Sequence, residues 1–167
     1  MNLPSRRWAS VLAGIVLGVG VVTAASAADT ASGTLLYKGR SAALKYAWLV
    51  TGPSDMEPGK TIRRLVVSAT DIGAKLTACK TFSCTDGEVA EGMTVDFTGG
   101  SRLNYWIALN GQKVQYSGTA VPGTFAARAN DPGRLAGRLA IDDTAAGGPK
   151  IDIDFDVTLL KAFNVAR

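Results

Sequence analysis

From residue 151 to residue 159 apolar and polar side chains alternate without a miss: Ile151, Ile153, Phe155, Val157 and Leu159 against Asp152, Asp154, Asp156 and Thr158. Successive side chains of a β-strand point to opposite faces, so the two sets separate cleanly onto two sides. A helix would scatter both sets around its circumference, and the period of two therefore specifies a strand. One face requires burial under other strands while the other meets water or a partner. That is the signature of a half-buried antiparallel sheet.

The same reading applied along the chain predicts further strands. Residues 33–39 form a short one, closed by a turn around Arg40 and Ser41. Residues 43–50 follow, with Leu44, Tyr46, Trp48 and Val50 on one face and Lys45 and Ala47 on the other. Gly52, Pro53, Pro58 and Gly59 punctuate a loop. Residues 61–69 are apolar enough around Leu65, Val66 and Val67 for a strand buried on both sides, or for one whose phase the pattern does not fix. Residues 71–91 are the least strand-like. There Asp71 can cap a short helix whose apolar face is Ile72, Leu76 and Cys79.

Residues 93–97 alternate again. Asn110-Gly111 then marks a two-residue type I′ hairpin between strands 102–109 and 112–118, because both turn positions need positive φ. That loop pairs Leu109 with Gln112, Ile107 with Val114 and Tyr105 with Tyr116, and sets Trp106 on the opposite, more polar face. Such a Trp packs against a loop or second sheet, or stacks on a ligand. Residues 124–129 make another strand, turned by Asp131-Pro132-Gly133 in a type II turn. Strand 134–142 sends Leu135, Leu139 and Ile141 inward and Arg134 and Arg138 outward. Facing Ile141 with Ile151 also sets Gly137 opposite Phe155 and Arg138 opposite Asp154, two complementary pairings. These strands define an all-β fold: an antiparallel β-sandwich or small β-barrel of about eight strands with one short helical segment.

Composition adds a compartment. Arg6 and Arg7, an apolar run over residues 11–24 and Ala25-Ser26-Ala27 make a secretory signal peptide over residues 1–27. The run falls short of the ~20 residues that span a bilayer, so no membrane span is expected after signal removal. Ser5-Arg6-Arg7 partly matches a twin-arginine signal, but small residues follow it, and the ordinary unfolded-chain route is preferred. Residues 28–167 then form a single β domain, periplasmic or secreted. Without Arg6 and Arg7 the 18 basic residues become 16 against 14 acidic ones, a net charge of +2, and no clustered basic face argues for nucleic acid.

Candidate chemistry is sparse. The chain has no His, which removes the usual general base and zinc ligand. No phosphate-binding loop, dinucleotide fingerprint or nucleophile elbow is present. Asp71, Asp86, Glu88, Glu91 and Asp96 are close in sequence, the ordinary pattern of solvated loop charges. Asp152, Asp154 and Asp156 offer oxygens suited to calcium, yet alternate strand residues stand ~6.6 Å apart, too far to share one ion at ~2.4 Å. Neighbouring arginines satisfy them more simply. Cys79 and Cys84 lie five apart, an even pair in an oxidising space, and read as one structural disulfide rather than a Cys-x-x-Cys redox couple.

Gly33-Thr34-Leu35 with Tyr37 and Gly39, the strand from Ala43-Leu44 to Trp48, Gly137-Arg138-Leu139 and the closing Phe155-Asp156-Val157 with Leu159 resemble small secreted proteobacterial β-rich proteins of uncharacterised function. The resemblance implies a periplasmic β domain and brings no activity with it. The expected function is therefore a non-catalytic binding or interaction module for an unknown protein or small ligand, with no cofactor and no metal. Its candidate contacts are Tyr105, Trp106, Tyr116, Arg138 and Asp154. The alternative is a small-molecule carrier with a β-barrel cavity lined by Trp48, Phe97, Tyr105 and Phe125.

Overall fold

The computed structural model describes residues 29–98 and 102–167, apart from the side chains of residues 113 and 114. The predicted signal segment lies outside the described residues. Among the described residues ten strands and two short α-helices run in the order β1 (Thr30–Tyr37), β2 (Arg40–Leu44), β3 (Tyr46–Pro53), β4 (Thr61–Ser68), α1 (Gly73–Ala78), α2 (Cys84–Glu88), β5 (Gly92–Phe97), β6 (Leu103–Leu109), β7 (Gln112–Ala120), β8 (Phe125–Asp131), β9 (Arg134–Asp142) and β10 (Lys150–Ala162). The fold is all-β, as the alternation predicts. Eight strands lie along one curled, half-barrel path, β2-β1-β10-β3-β4-β5-β6-β7, and β9 and β8 branch from β10.

The long strand β10 joins the two parts. Its first half pairs antiparallel with β1 on one edge and β9 on the other. Its last residues pair in parallel with β3. Ile151, Ile153, Phe155 and Val157 are buried in the main core, as the period of two requires. Leu159 departs from that expectation and is 37% exposed. The ladder to β3 shifts between Leu159 and Lys161, so the strand exchanges faces there and Leu160 and Phe163 pack into a second cluster instead.

The predicted register of β9 against β10 holds, with Ile141 opposite Ile151, Gly137 opposite Phe155 and Arg138 opposite Asp154. The aromatic that covers Gly137 is Phe125 of β8, whose ring lies 2.6 Å from where a Cβ would stand. Phe125 in turn stacks on Phe155 at 5.7 Å. The exposed side chains of β9 and β10 pair two residues off the backbone register. Arg138 grips Asp152 with two bonds of 2.6 and 2.8 Å, and Arg134 grips Asp156 likewise. Asp154 is taken by Arg128, which reaches from β8 and also bonds the Phe155 carbonyl at 3.1 Å. A register shift between Ala127 and Ala129 frees Arg128 to do so. Each of the three aspartates is thus paired with an arginine.

Four expectations are corrected. The turn after β1 is Lys38-Gly39, both at positive φ, rather than Arg40-Ser41. Residues 43–50 are not one strand: the chain breaks at Lys45, after which Ala47 and Leu49 face the main core while Trp48 and Val50 face the second cluster. Asn110-Gly111 does close the β6–β7 hairpin, and Leu109 faces Gln112. One residue of β6, Ala108, then stands against three of β7, so Ile107 faces Tyr116 and Tyr105 faces Gly118. Finally, Gly133 does not take the positive φ that a type II turn demands, although Asp131 and Arg134 still close the hairpin.

β4 is buried on both sides, one of the two readings its composition allows. Leu65 and Val67 enter the main core, and Val66 enters the second cluster with Trp48, Ile72, Leu76, Cys79, Phe82 and Phe163. That second cluster seats α1 and α2 on the outer face of β3–β6. Ile72, Leu76 and Cys79 form the buried helical face, and Asp71 accepts the Gly73 N–H at 2.9 Å at its start.

Bonds from Arg138, Arg128 and Arg134 hold the carboxyls of Asp152, Asp154 and Asp156 below their usual range. A depressed folded pKa contributes stability that is present above the ordinary carboxylate value of ~4 and is lost as pH falls through the folded pKa. The D152N/D154N/D156N variant should therefore lose less stability than the native chain as pH falls from about 5 to about 2. Urea midpoints across that interval measure the difference, and parallel curves would refute the linkage.

Candidate functional site

On the outward face of β4, β5 and β6 four residues meet because the ladder brings them into register. Arg64 lies directly opposite Asp96, and Thr94 directly opposite Trp106. Arg64 and Asp96 are both buried, at 6% and 3% exposure. A charge so placed must be paired and hydrogen-bonded. Arg64 donates to both Asp96 oxygens, from Nε at 2.6 Å and Nη2 at 2.9 Å, and from Nη1 to the Thr85 hydroxyl at 3.3 Å and to Asp86 Oδ1 at 2.6 Å. Its guanidinium also lies 4.2 Å from the Phe82 ring centroid and 5.8 Å from that of Trp106.

The lid residues come from the irregular segment between β4 and β5. Its order has three sources. Cys79 and Cys84 form a disulfide with Cα atoms 5.7 Å apart, within the span such a bridge requires, linking the end of α1 to the first residue of α2. The helix end that intervenes is what a five-residue offset demands. Lys161 donates from Nζ to the Thr77 and Cys79 carbonyls at 2.7 and 2.5 Å, a cation at the carboxyl end of α1. The N–H groups of Phe82 and Ser83 donate to the Val165 and Ala166 carbonyls, each at 2.9 Å. Asp86, two residues past Cys84, is thereby held over Arg64. Cys79, Cys84 and Glu88 are grouped closely enough to suggest a metal site, but disulfide sulfurs are not thiolate ligands.

Between this lid and the sheet is a half-open cleft of about 250 Å³, walled by Trp106, Val89 and Ala108 and floored by Arg64, Asp86 and Thr94. Burial pushes the Asp86 carboxyl above its usual range, against the pull of Arg64, and Asp96 adds to that push. Burial works against the charge on Arg64, but Asp96 and Asp86 together outweigh it and hold the guanidinium above its ordinary value. One cation faces two carboxylates, so the floor carries a net charge of −1. Asp86 offers a second oxygen that takes no bond among the described residues.

Of the predicted contacts, only Trp106 belongs to this cleft. Tyr105 and Tyr116 lie on the other side of β6. Tyr105 is fully buried and donates to an Asp143 carboxylate oxygen. Burial first, and Asp143 second, raise its hydroxyl pKa far beyond the usual range. Tyr116 sits between Tyr37 and Tyr105, with ring centroids 5.5 and 6.1 Å away. Gly118 leaves room for this group, since a Cβ there would stand 2.6 Å from the Tyr105 oxygen. Arg138 and Asp154 lie on the exposed face of β9 and β10, in separate ion pairs.

A second cavity of about 380 Å³ opens at one end of the half-barrel, between β8 and the ends of β4, β5 and β6. Phe97 and Phe125 line it, as the carrier reading expects. Trp48 belongs to the outer cluster and Tyr105 to the filled core, so neither does. No protein-family model, curated protein or solved structure matches this chain, and the functional argument rests on geometry and chemistry. No helix among the described residues is long and apolar enough to cross a membrane.

The disulfide closes a loop of sequence separation 5. On chain entropy a loop that short is worth about 2 kcal/mol. Cys79→Ser with Cys84→Ser should reduce stability by about that amount and leave the β-sheet circular dichroism intact. Collapse of the β signal in that variant would show that the bridge sustains the whole fold.

Proposed function

We propose that this chain is an exported, non-catalytic binding module whose ligand enters the Trp106 cleft. The observation that carries the reading is the pairing of an indole wall with a buried ionic floor whose charges are committed to one another. Arg64 spends its donors on Asp96, Asp86 and Thr85, which favours a scaffold role over a reacting one. What remains open to a visitor is the Trp106 ring, apolar Val89 and Ala108, and the free oxygen of Asp86. The net negative floor favours a ligand with a cationic or hydrogen-bond-donating end and an apolar body. Cation attraction to an indole face and a charge-assisted bond to a carboxylate act together on such a group. The disulfide supports the oxidising compartment that the predicted signal implies.

The carrier reading has its own support, in the cavity lined by Phe97 and Phe125. The middle of the half-barrel is filled by side chains, including Leu65, Met93, Tyr105, Leu139 and Phe155. Any cargo would therefore lie at the mouth rather than in a lumen.

Phenethylammonium is a suitable probe for the Trp106 cleft. It should shift the Trp106 indole N–H signal in a saturable titration. Asp86→Asn should weaken binding about tenfold, the expected loss of a charge-assisted bond. Trp106→Ala, which lacks that signal, should abolish the binding heat in a calorimetric titration. A Trp106 signal indifferent to phenethylammonium, or binding that is unchanged in both variants, would overturn the proposal.

A further inference from the structure

Arg63 stands one residue from Arg64 and faces the other way. Along β4 the odd positions Leu65 and Val67 enter the main core, so Arg63 lies on the core-facing phase, where the strand begins. Its guanidinium crosses to β8 and β9 and donates from Nη1 to Asn130 Oδ1 at 2.7 Å and from Nη2 to the Arg134 carbonyl at 3.3 Å. Both acceptors are neutral. No carboxylate pairs with it among the described residues. Its Nε is buried without a hydrogen-bond partner there. Asp131 is near enough to favour the charged form, but burial prevails and lowers the Arg63 pKa.

This cation, without an ion pair among the described residues, borders the mouth cavity of about 380 Å³, whose other walls include Phe97, Leu103, Pro122 and Phe125, with Thr61 and Thr98 beside them. A partly desolvated charge beside apolar walls lacks one thing, an anion with an apolar body. Arginine suits a carboxylate through its planar array of donors. We infer that the mouth cavity binds a small monocarboxylic acid, its carboxylate on Arg63 and its aliphatic or aryl body between Phe97 and Phe125. The site is separate from the Trp106 cleft and opposite in charge preference, so its failure would leave that reading untouched.

The alternative is that Arg63 only braces β4 against β8 and β9 through Asn130 and Arg134. Titration of the isotopically labelled protein with octanoate, octan-1-ol and octylammonium separates the two. Octanoate should move the Leu103 methyl and the Phe97 and Phe125 ring signals in a saturable way, leave Trp106 still, and bind at least about tenfold more tightly than octan-1-ol, as a charge-assisted bond requires. Arg63→Gln should remove that preference while octan-1-ol binds as before. If the variant does not fold, the comparison on the native chain decides alone. Octanoate that leaves those signals unmoved, binds no better than octan-1-ol, or keeps its affinity in the folded Arg63→Gln variant would overturn the inference and leave the brace.

Discussion

Three strands depend on β10 for their backbone partners. β1 and β9 take its two edges along Lys150–Asp156, and β3 takes over in parallel near its end. A strand paired on both edges cannot slip by one residue without exposing its entire apolar face and breaking two ladders together. Ile151, Ile153, Phe155 and Val157 meet that constraint with no exposed member among them. The exchange of faces after Leu159 then lets one strand serve two packing layers. Its first half closes the main core, and Leu160 and Phe163 enter the cluster on the outside of the neighbouring strands.

The outer cluster explains why a small β domain holds buried charge. Once α1 and α2 cover the outer face of β3–β6, any polar residue on that face loses water. Arg64 and Asp96 face each other across the ladder and replace it with two parallel charge-assisted bonds. Thr85 and Asp86, supplied by the covering segment, use further donors of Arg64. The segment is thus tied to the sheet by ions at one end and by Ile72, Leu76 and Phe82 at the other. The cleft beside Trp106 is the gap these two attachments leave.

Much of this architecture was legible because a local rule and a long-range one agreed. The alternation in β10, the opposing residues of β9, the Asn110-Gly111 turn and the Cys79–Cys84 bridge each combine a residue pattern with a geometric limit on chain closure. The errors came where the chain departs from regular pleating. A break at Lys45, extra residues in β7 and a bulge beside Arg128 each shift phase, and alternation alone carries no mark of such shifts. The arginine–aspartate pairs were foreseen as a class but not as individuals, because long side chains reach past the residue opposite. The candidate site was the least legible part. Trp106 was visible, yet Arg64 and Asp96 are 32 residues apart and meet only through the β4–β5 ladder. One signal was present. Two consecutive arginines in a strand otherwise fit for burial on both faces require a polar partner on each face, and the fold supplies Asp96 on one and Asn130 on the other.

The central claim, that β10 anchors both layers, is tested most directly by native-state hydrogen exchange resolved by residue. Amides of Ile151, Ile153, Phe155 and Val157 should exchange only through global unfolding, with opening free energies at the top of the range for the molecule, while α1 and α2 open at lower cost. Exchange of the β10 amides through local opening, at a free energy below that of β4 and β5, would contradict the account.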